Sequence, residues 1–370
     1  MLPEGLDFLE HMVNLDSPSF DKEHVDHLGD YVGRYFADIG GVVTRTEETH
    51  RGDHLTIRFG NASVPPIMLL GHMDTVWPAG ETAKRPYRVE DGIASGPGVF
   101  DMKAGIAMMW MALRALLDRG TELPAPVQVL LTSNEEVGSP VSRELVRETA
   151  RGRSAVLVLE PSLPGGALKT IRNGMGRFTI TAVGRAAHSG VDPAAGVNAI
   201  EEMAHQIARI QRLGDPAKNT TVSVTVVQGG SRPNVIPAEC TLQVDARTPT
   251  HEEADRITRA IRSLDPVLPG SKIEVEGQFR RPPLERTPQN ARLFALAREV
   301  ALELGHELGE GATGGASDGN LTSAMGVPTL DGLGPVGHGA HQLDEHVEVY
   351  SLPWRTALVA GLILRIAESP

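Results

Sequence analysis

A histidine and an aspartate follow a strongly apolar segment of the sequence. His72 and Asp74 come directly after the run 67–70, which has the pattern of a strand buried on both faces. Because ligands bind beyond the carboxyl ends of strands in α/β sheets, we expect His72 to point into a crevice. Asp74 can reach the back of the imidazole and fix its tautomer for metal binding. The alternative is a surface histidine beside a turn aspartate, and this short pattern does not separate the two.

A loop rich in glycine carries another carboxylate. The segment 96–105, GPGVFDMKAG, opens a predicted helix and places Asp101 near its N-terminus. Glycines allow close approach of the backbone, and the helix dipole favours a carboxylate at this position. Asp101 is therefore a candidate metal ligand, or else an ordinary N-cap of the helix.

Three further acidic residues stand at the ends of apolar runs. Glu135 and Glu136 follow the run 127–131, and Glu160 ends the run 155–160. Adjacent carboxylates repel each other, so either a cation balances them or one of them holds a proton at neutral pH. A raised pKa is what a general base requires. The competing interpretation is a solvated acidic start to the helix that follows.

Histidines are concentrated near the C-terminus. The segment 337–346 contains His338, His341 and His346, out of 13 histidines in the chain. A tract of this kind is typical either of a metal site or of a polar loop. His188, in the segment AHSG, stands apart, and taken alone it predicts only a turn histidine.

Together these segments predict one metal centre built without sulfur. The chain has a single cysteine, Cys240, so an internal disulfide and zinc sites with two or four thiolates are excluded. One sheet edge would gather imidazole and carboxylate ligands from His72, Asp101, Glu136, Glu160 and His341. Their number suits two divalent ions of the zinc type that share a bridging carboxylate and keep positions open for water.

The elements that must position these residues change character along the chain. Before residue 174, buried strand patterns alternate with helical ones, which predicts an α/β domain with a mostly parallel central sheet. Within that part, the alternation in 42–47 and 54–59 predicts half-exposed strands. After residue 174, strands with one polar face are interleaved with helices, as in an α+β unit. We therefore expect a catalytic domain in two parts, 1–173 and 287–370, interrupted by an inserted domain at 174–286.

Charge and hydropathy exclude two classes of partner. Lys and Arg number 35 against 47 Asp and Glu, so the formal net charge is −12. Such a surface repels nucleic-acid phosphates and anionic membranes, and we expect no nucleic acid and no membrane as partner. The apolar runs are far shorter than the ~20 residues of a bilayer span, and the acidic N-terminus lacks the features of a signal peptide. We therefore expect a cytoplasmic protein.

The motifs occur in an order that resembles the M20 metallopeptidases, which include glutamate carboxypeptidases of the carboxypeptidase G type, aminoacylases and succinyl-diaminopimelate desuccinylases. They extend over nearly the whole chain, as GHMDTVWP, GPGVFDMKAG, TSNEEVGS, LEPS, AHSG and GAHQLDEHV. The resemblance implies a zinc-peptidase-like α/β catalytic domain with an inserted α+β lid or dimerisation domain. It also implies a homodimer formed through that domain and two Zn²⁺ ions, for which Co²⁺ or Mn²⁺ can substitute.

The resemblance further implies a role for each metal ligand. His72 and Glu160 would bind one zinc, and Glu136 and His341 would bind the other. Asp101 would bridge the two ions, with a cis peptide bond following it.

Catalytic roles follow from the same resemblance. Glu135 would be the general base and acid, and Asp74 would orient His72. His188 would reach into the neighbouring subunit's site and help to stabilise the oxyanion. His338 and His346 match no role in the family, and we interpret them as ordinary loop histidines.

Three residues of the inserted domain match positions that bind a substrate carboxylate in the glutamate carboxypeptidases: Asn234, Arg247 and, less closely, Arg281. An arginine fork suits a carboxylate, whereas the alternative for Arg247 is a salt bridge at a strand edge. The segment 314–320 resembles the family's Gly-Gly loop beside the substrate pocket, or is a flexible connector.

The sequence thus leads to a hypothesis of a di-zinc amide hydrolase of the carboxypeptidase type. It would release a C-terminal amino acid, glutamate above others, from a small N-acyl amino acid or short peptide. The alternatives are an N-acyl-amino-acid deacylase or another M20 amidohydrolase, and a metal-free binding protein that has kept the fold.

Overall fold

Helices and strands alternate along most of the chain, and the computed structural model describes residues 1–61, 63–120 and 123–368. The helices in these ranges are α1 (Leu2–Val13), α2 (Lys22–Asp38), α3 (Glu81–Lys84), α4 (Ala104–Leu117), α5 (Arg143–Ala150), α6 (Ala199–Gln211), α7 (His251–Arg262), α8 (Pro288–Glu303), α9 (Gly319–Ser323) and α10 (Ser351–Glu368). The strands are β1 (Val42–Thr46), β2 (His54–Phe59), β3 (Ile67–His72), β4 (Arg88–Glu90), β5 (Ile93–Ser95), β6 (Val127–Thr132), β7 (Ala155–Val158), β8 (Leu168–Arg172), β9 (Gly174–Val183), β10 (Ala187–His188), β11 (Thr221–Gly229), β12 (Val235–Ile236), β13 (Glu239–Thr248), β14 (Lys272–Arg281), β15 (Glu310–Thr313), β16 (Thr329–Leu330), β17 (Gly337–His338) and β18 (His346–Glu348).

The chain forms two compact units. The first unit comprises Met1–Thr170, Arg286–Thr313 and the segment from Ser317 onwards, and the second comprises Ile171–Glu285 with Gly314–Ala316. The second unit is therefore inserted in the sequence of the first. The predicted limits of the insertion, 174 and 286, lie within three residues of the observed limits, 171 and 285. The sequence pattern does not predict that residues 314–316 belong to the second unit.

A six-stranded sheet forms the centre of the first unit, in the order β1-β2-β6-β3-β7-β16. The pairs β6–β3, β3–β7 and β7–β16 are parallel, whereas β1–β2 and β2–β6 are antiparallel. The predicted α/β class with a mostly parallel centre is confirmed. His72, at the end of β3, is level with Thr132 at the end of β6, so these strands end at the same edge.

Helices cover both faces of this sheet, which explains the unbroken apolar runs. Along β3, Ile67 and Leu69 belong to the larger core with residues of α4 and α10. Met68 and Leu70 belong to a second cluster with residues of α5 and α9. Because successive side chains of a strand point to opposite faces, a strand covered on both faces needs an apolar residue at every position.

Helix α4 lies within the larger core and is apolar around most of its circumference. It packs against α1, α10 and β3, and all but three of its 14 residues are buried. The apolar run at 106–113 is therefore a core helix. Among the described residues, no helix combines the length and the apolar character that crossing a membrane requires.

Strand β2 is more deeply buried than its alternating sequence predicts. It is paired on both sides, with β1 and β6, and all its residues except Arg58 are buried. The buried His54 forms a 3.0 Å hydrogen bond with the Ser133 hydroxyl, which accommodates a polar residue inside the sheet. The prediction of a half-exposed strand is therefore wrong for β2 and holds for the edge strand β1.

The second unit consists of a four-stranded antiparallel sheet, β11-β13-β9-β14, with helices α6 and α7. Buried positions alternate along β9 and β13, as the period-two pattern predicts. Their apolar side chains pack with Met203 of α6 and Ile257 of α7 in one core. The predicted α+β insertion is confirmed.

Candidate metal centre

Three adjacent parallel strands carry predicted ligands at their carboxyl ends. His72 ends β3, Glu135 and Glu136 lie in a 3-10 turn shortly after β6, and Glu160 lies just beyond β7. Because β6, β3 and β7 are neighbours in the sheet, these four side chains meet at one edge.

Asp101 lies between two histidines. Its Oδ1 is 3.3 Å from His72 Nε2, and its Oδ2 is 3.4 Å from His341 Nε2. His72 Nε2 is also 3.4 Å from Glu160 Oε1, and His341 Nε2 is 3.0 Å from Glu136 Oε2. The five predicted ligands thus form two histidine–carboxylate pairs joined by Asp101.

The Glu135 carboxylate lies beside the same centre. Ligand atoms of His72, Glu135 and Glu160 lie within 4.8 Å of one another, as do those of His72, Asp101 and Glu136. Glu135 is 8% exposed, so its carboxylate is largely shielded from bulk water. It is close enough to exchange a proton with a group held at the centre.

A buried carboxylate with no role in the motif interpretation holds the turn that carries Asp101. Glu345 Oε1 accepts from the backbone amides of Phe100 and Asp101, both at 3.0 Å. Its Oε2 accepts from the Gly98 amide at 2.9 Å and the Trp77 indole at 2.8 Å. Burial raises the pKa of Glu345, while these donors stabilise its charged form. Glu345 is thus a positioning residue for Asp101.

Close packing accounts for one glycine of the Asp101 loop. A Cβ at Gly105 would lie 2.2 Å from the backbone oxygen of Leu159, so only glycine fits there. The constraint comes from the neighbouring chain segment and requires no ligand. The Asp101–Met102 peptide bond is cis, as the resemblance implies.

Asp74 contacts more of the site than the predicted orienting role requires. His72 Nδ1 donates to the Asp74 backbone carbonyl at 2.9 Å and lies 3.5 Å from the Asp74 carboxylate. That carboxylate accepts from the amides of Glu135 and Glu136 at 3.1 and 3.2 Å and from Ser19 Oγ at 2.6 Å. One fully buried aspartate therefore fixes both the imidazole and the turn with the acidic pair.

A second buried aspartate fixes the segment around the acidic pair. Asp318 accepts from Thr132 Oγ1 at 3.1 Å and from the Ser139 hydroxyl. Its neighbour Ser317 donates to Asp331 at 2.6 Å. Ser317 and Asp318 are both buried, and these contacts tie this end of the glycine-rich segment to Asp331 and to the end of β6. The substrate role of the segment 314–320 stays a prediction.

The three clustered histidines have different surroundings. His341 has a backbone φ of 64°, a left-handed conformation that non-glycine residues seldom adopt and that is found preferentially at functional sites. His338 and His346 face each other across the β17–β18 pair, with ring centroids 6.2 Å apart. Both residues lie in short strands, so their predicted location in a loop is wrong. The prediction that they have no role in the site stays a prediction.

The charges at the centre depend strongly on one another. Burial, and then the nearby Asp101, raise the pKa of Glu136 to about 7. Hydrogen bonds to Asp101 and Glu136 raise the pKa of His341 to about 10. Burial acts to lower the pKa of His72, but hydrogen bonds to three carboxylates raise it well above its ordinary value. The carboxylates thus favour positive charge at both imidazoles.

The donor set fits divalent metal ions. The side chain of Glu136 is nearly inaccessible, and its Oε1 has no hydrogen-bond partner among the described residues. Two imidazoles and several carboxylates converge without sulfur, as expected for ions of the zinc type. A metal ion would supply the positive charge that protonated imidazoles otherwise provide.

Two predicted residues of the second unit lie side by side. His188 pairs with Val235 between β10 and β12, and the Ser189 amide donates to the Asn234 carbonyl at 3.1 Å. His188 is exposed, and its Nδ1 accepts from the amides of Gly190 and Val191 at 3.2 and 3.1 Å. These contacts leave Nε2 as the nitrogen directed away from its own turn.

The two predicted arginines have different surroundings. Arg247 forms a bidentate ion pair with Asp245 of the same strand. Its Nε donates to Oδ1 at 2.7 Å, and its Nη2 donates to Oδ2 at 3.2 Å. The salt-bridge alternative for Arg247 therefore describes this conformation, although β13 is an inner strand and not an edge. Arg281, at the end of β14, is 3% exposed. Their substrate roles stay predictions.

The comparison with protein families decides where the chain belongs. The peptidase family M20/M25/M40 matches residues 68–365. The chain belongs to this family. Its resemblance to the M20 metallopeptidases is thereby confirmed, and with it the class of a metal-dependent hydrolase of amide or peptide bonds.

Individual relatives lie within the same family. The chain is 31% identical to carboxypeptidase G2 of Pseudomonas sp. (strain RS-16) over 98% of this chain and 89% of the relative. It is 29% identical to succinyl-diaminopimelate desuccinylase of Xanthomonas oryzae pv. oryzae (strain PXO99A) over 85% and 87%.

Solved structures share the fold over the whole chain. Aminopeptidase PepT of Bacillus cereus ATCC 10987 superimposes with a TM-score of 0.83 at 22% identity, over 99% of each chain. The YXEP protein of Bacillus subtilis, a dinuclear metal-binding peptidase of the M20 family, has a TM-score of 0.73 at 16% identity, over 100% of this chain and 99% of the other.

Proposed function

We propose that the protein is a di-zinc carboxypeptidase that releases a C-terminal amino acid, glutamate above others, from N-acyl or peptidyl substrates. The observation that carries this proposal is Asp101, whose two carboxylate oxygens each face a different histidine. Such an arrangement suits a carboxylate that bridges two ions. His72 and Glu160 would hold one Zn²⁺, Glu136 and His341 the other, and Co²⁺ or Mn²⁺ could replace zinc.

The ions, when bound, would activate a water molecule and polarise the scissile carbonyl group. Glu135 takes up the proton of the attacking water at its carboxylate and delivers it to the leaving nitrogen. Asp74 keeps this carboxylate in place through the Glu135 amide, and it keeps the His72 ring in one tautomer. The buried position of Glu135 limits exchange of the proton with bulk solvent.

The second unit would act as a lid and as the surface of a homodimer. His188 is exposed, as a residue that acts in the partner's site must be, and would donate to the developing oxyanion there. Asn234 and Arg247, with Arg281, would bind the carboxylate of the released amino acid. Because Arg247 pairs with Asp245, a substrate carboxylate would compete with Asp245 for the guanidinium group.

The relatives support a carboxypeptidase and also a second candidate function. Carboxypeptidase G2 is among the relatives, and the desuccinylases match 85% of the chain at 29% identity. An N-acyl-amino-acid deacylase would use the same metal centre. The two functions differ in the half of the substrate that determines the rate. This half is the released C-terminal amino acid for the carboxypeptidase and the acyl group for the deacylase.

A mass-spectrometric hydrolysis screen with added Zn²⁺ tests the proposal. The panel pairs N-acyl amino acids and dipeptides that carry a free C-terminal carboxylate with the same compounds as carboxamides, and it includes glutamate, alanine and lysine as the C-terminal residue. We expect hydrolysis of the free acids, fastest for glutamate, and little of the carboxamides. Equal rates for acids and carboxamides would contradict the carboxypeptidase assignment.

A further inference from the structure

The histidine pair His338 and His346 lies beside the segment that carries His341 but outside the candidate metal centre. Strands β17 and β18 form an antiparallel hairpin at the edge of a four-stranded sheet, in the order β17-β18-β5-β4. His338 and His346 are directly opposite each other in this hairpin. Among the described residues, the groups of ligand atoms within 4.8 Å of one another at the centre include neither of them. The pair is therefore a separate cluster.

Both imidazoles lie on the face of the small sheet that points away from the core. Val347 and Ala94, which are paired between β18 and β5, belong to the larger core. Because side chains alternate along a strand, His346 is on the opposite face, and His338 shares that face as its direct partner. His338 is exposed and His346 is half-buried. An ion in the surrounding water can therefore reach the pair.

The two rings are close enough to bind one ion between them. Their centroids are 6.2 Å apart, with an angle of 47° between the ring planes. Two imidazole nitrogens on one ion of the zinc type stand about 3 Å apart, since each metal–nitrogen bond is about 2 Å long. The Cβ atoms of directly opposed residues are about 5 Å apart, a separation that two imidazoles and an ion can span. Rotation about the side-chain bonds of the exposed His338 adjusts the remaining distance.

One ring already has the tautomer that a metal ligand needs. His346 Nδ1 lies 2.7 Å from the Asp344 backbone carbonyl. A carbonyl oxygen only accepts, so Nδ1 carries the hydrogen, and Nε2 of the neutral ring keeps its lone pair. Histidines that bind metal ions characteristically donate from their other ring nitrogen to a carbonyl or a carboxylate. His346 therefore has the contact that orients a metal ligand.

The charge nearest to the pair on this face is negative. Glu348 is two residues beyond His346 in β18 and is therefore on the same face. Arg88 is also on this face, but it lies two strands from His346, beyond Ser95. Because adjacent strands are about 4.8 Å apart, the backbone of Arg88 is farther from the pair than that of Glu348. The local charge thus attracts a divalent cation.

We propose that His338 and His346 form an auxiliary site for one divalent transition-metal ion, such as Zn²⁺. Imidazole ligands suit ions of this kind, and water would complete the coordination. With two protein ligands, the ion would be held more weakly than ions at the centre, where carboxylates add their charge. It would join the two strands of the hairpin whose loop, 339–345, carries His341 and Glu345. The inference does not depend on the proposed hydrolysis.

A calorimetric titration with Zn²⁺ tests the site on the full-length protein, which is first loaded with Zn²⁺ and then desalted. We expect one further, weaker Zn²⁺ per chain for the wild-type protein. His338→Ala and His346→Ala should each abolish its binding. His50→Ala is the matched control, because His50 is an exposed histidine outside the segment 337–346, and it should leave the titration unchanged. Absence of a further ion, or a further ion that both variants retain, would overturn the inference.

Hydrogen exchange of the backbone amides in 337–348 tests whether the ion joins the two strands. When the further Zn²⁺ is bound, we expect slower exchange of this segment in the wild-type protein and in His50→Ala. His338→Ala should show no such change, and thermal unfolding without added Zn²⁺ checks that it keeps the wild-type fold. Binding of the further ion without slower exchange would contradict the link across the hairpin.

The same titration of His72→Ala separates this inference from the proposed function. This variant should lose an ion at the metal centre and keep the further ion. Loss of the further ion in His72→Ala would show that it belongs to the centre and would overturn the inference. If the wild-type protein hydrolyses no substrate, the hydrolase proposal fails, whereas Zn²⁺ binding that requires both His338 and His346 would still support the auxiliary site.

Discussion

At the scale of single residues, the site depends on how Asp101 is held. Its carboxylate faces both histidines, but its own side chain cannot fix the turn from which it projects. Glu345 fixes that turn by accepting from three backbone amides and one indole. Because a carboxylate is an acceptor at every lone pair, it suits a position surrounded by donors.

Glu345→Gln should therefore disturb the Asp101 turn. Each carboxylate oxygen of Glu345 accepts from two donors. Glutamine replaces one of these oxygens with an amide nitrogen, which is itself a donor, so two of the four donors would lose their acceptor. We expect metal affinity or kcat/KM to fall roughly 10- to 100-fold, as for other residues that orient metal ligands. Metal titration followed by calorimetry, together with steady-state kinetics, measures both quantities.

Asp344→Asn is the matched control for this substitution, because Asp344 is the adjacent carboxylate and is exposed. It should leave metal affinity and kcat/KM near their wild-type values. If Glu345→Gln behaves like Asp344→Asn, the positioning role of Glu345 is wrong.

The sequence identifies the ligand candidates and the adjacent Asp74, but not the residues that position the site from a distance in the sequence. The predicted ligands His72, Glu136 and Glu160 follow apolar strands, where a local sequence pattern is sufficient to find them. Glu345 and Asp318 bind partners 244 and 179 residues away in the sequence, Asp101 and Ser139 respectively. From the sequence alone, each of them is recognisable only as a carboxylate beside a segment that is predicted to be buried. This pattern does not identify the hydrogen-bond partner.

At the scale of elements, the first turn of helix α7 is held by an N-cap and by the buried carboxylate of Glu253. Thr250 accepts from the Glu253 amide at 3.2 Å, as the N-cap. The Glu253 carboxylate is 5% exposed and binds Arg256, Lys218 Nζ at 2.9 Å and Thr220 Oγ1 at 3.0 Å. This carboxylate therefore joins the helix to the segment before β11.

These contacts should make the stability of the second unit depend on pH. Hydrogen bonds from Arg256, assisted by Lys218 and Thr220 and opposed by burial, lower the pKa of Glu253 from 4.5 to about 2. A lowered folded-state pKa stabilises the fold above pH 4.5, and this contribution is lost as the pH falls towards 2. Glu253→Gln should thus cost about 1–3 kcal/mol of unfolding free energy at pH 7 and progressively less below pH 4.5.

Urea denaturation at pH 7 and at pH 3 measures this difference. Glu252→Gln serves as the comparison, since Glu252 is exposed in the same helical turn. A destabilisation by Glu253→Gln that does not diminish at pH 3 would show that the contribution is not electrostatic.

The strands could be predicted from the sequence where the same faces of the strand are covered along its whole length. The buried runs of β3, β6 and β7 and the alternation of β9 and β13 follow directly from which faces are covered. The alternation in β2 predicts the wrong exposure, because its polar His54 finds a partner, Ser133, inside the fold. Strand β14 is absent from the sequence prediction, although Ile273 and Val275 alternate with charged residues in it.

At the scale of the whole molecule, the inserted topology brings together residues from the beginning and the end of the chain. His72 and His341 are on opposite sides of the inserted unit in sequence, and both contact Asp101. The formal charge of −12 is partly a property of the site, because the carboxylates of Asp101, Glu136 and Glu160 contribute to it. Under the proposed function, this part of the acidity would hold cations and would not serve solubility.

The central claim is that two metal ions and Glu135 together carry out the hydrolysis. The most direct test measures metal content by elemental analysis and turnover of N-acyl-glutamate on the same preparations of wild-type and Glu135→Gln protein. We predict two ions per chain in both proteins and a fall in kcat of roughly 10²–10⁴-fold in the variant, the usual contribution of a general acid–base group. Full turnover by a Glu135→Gln protein that retains both metal ions would contradict the account.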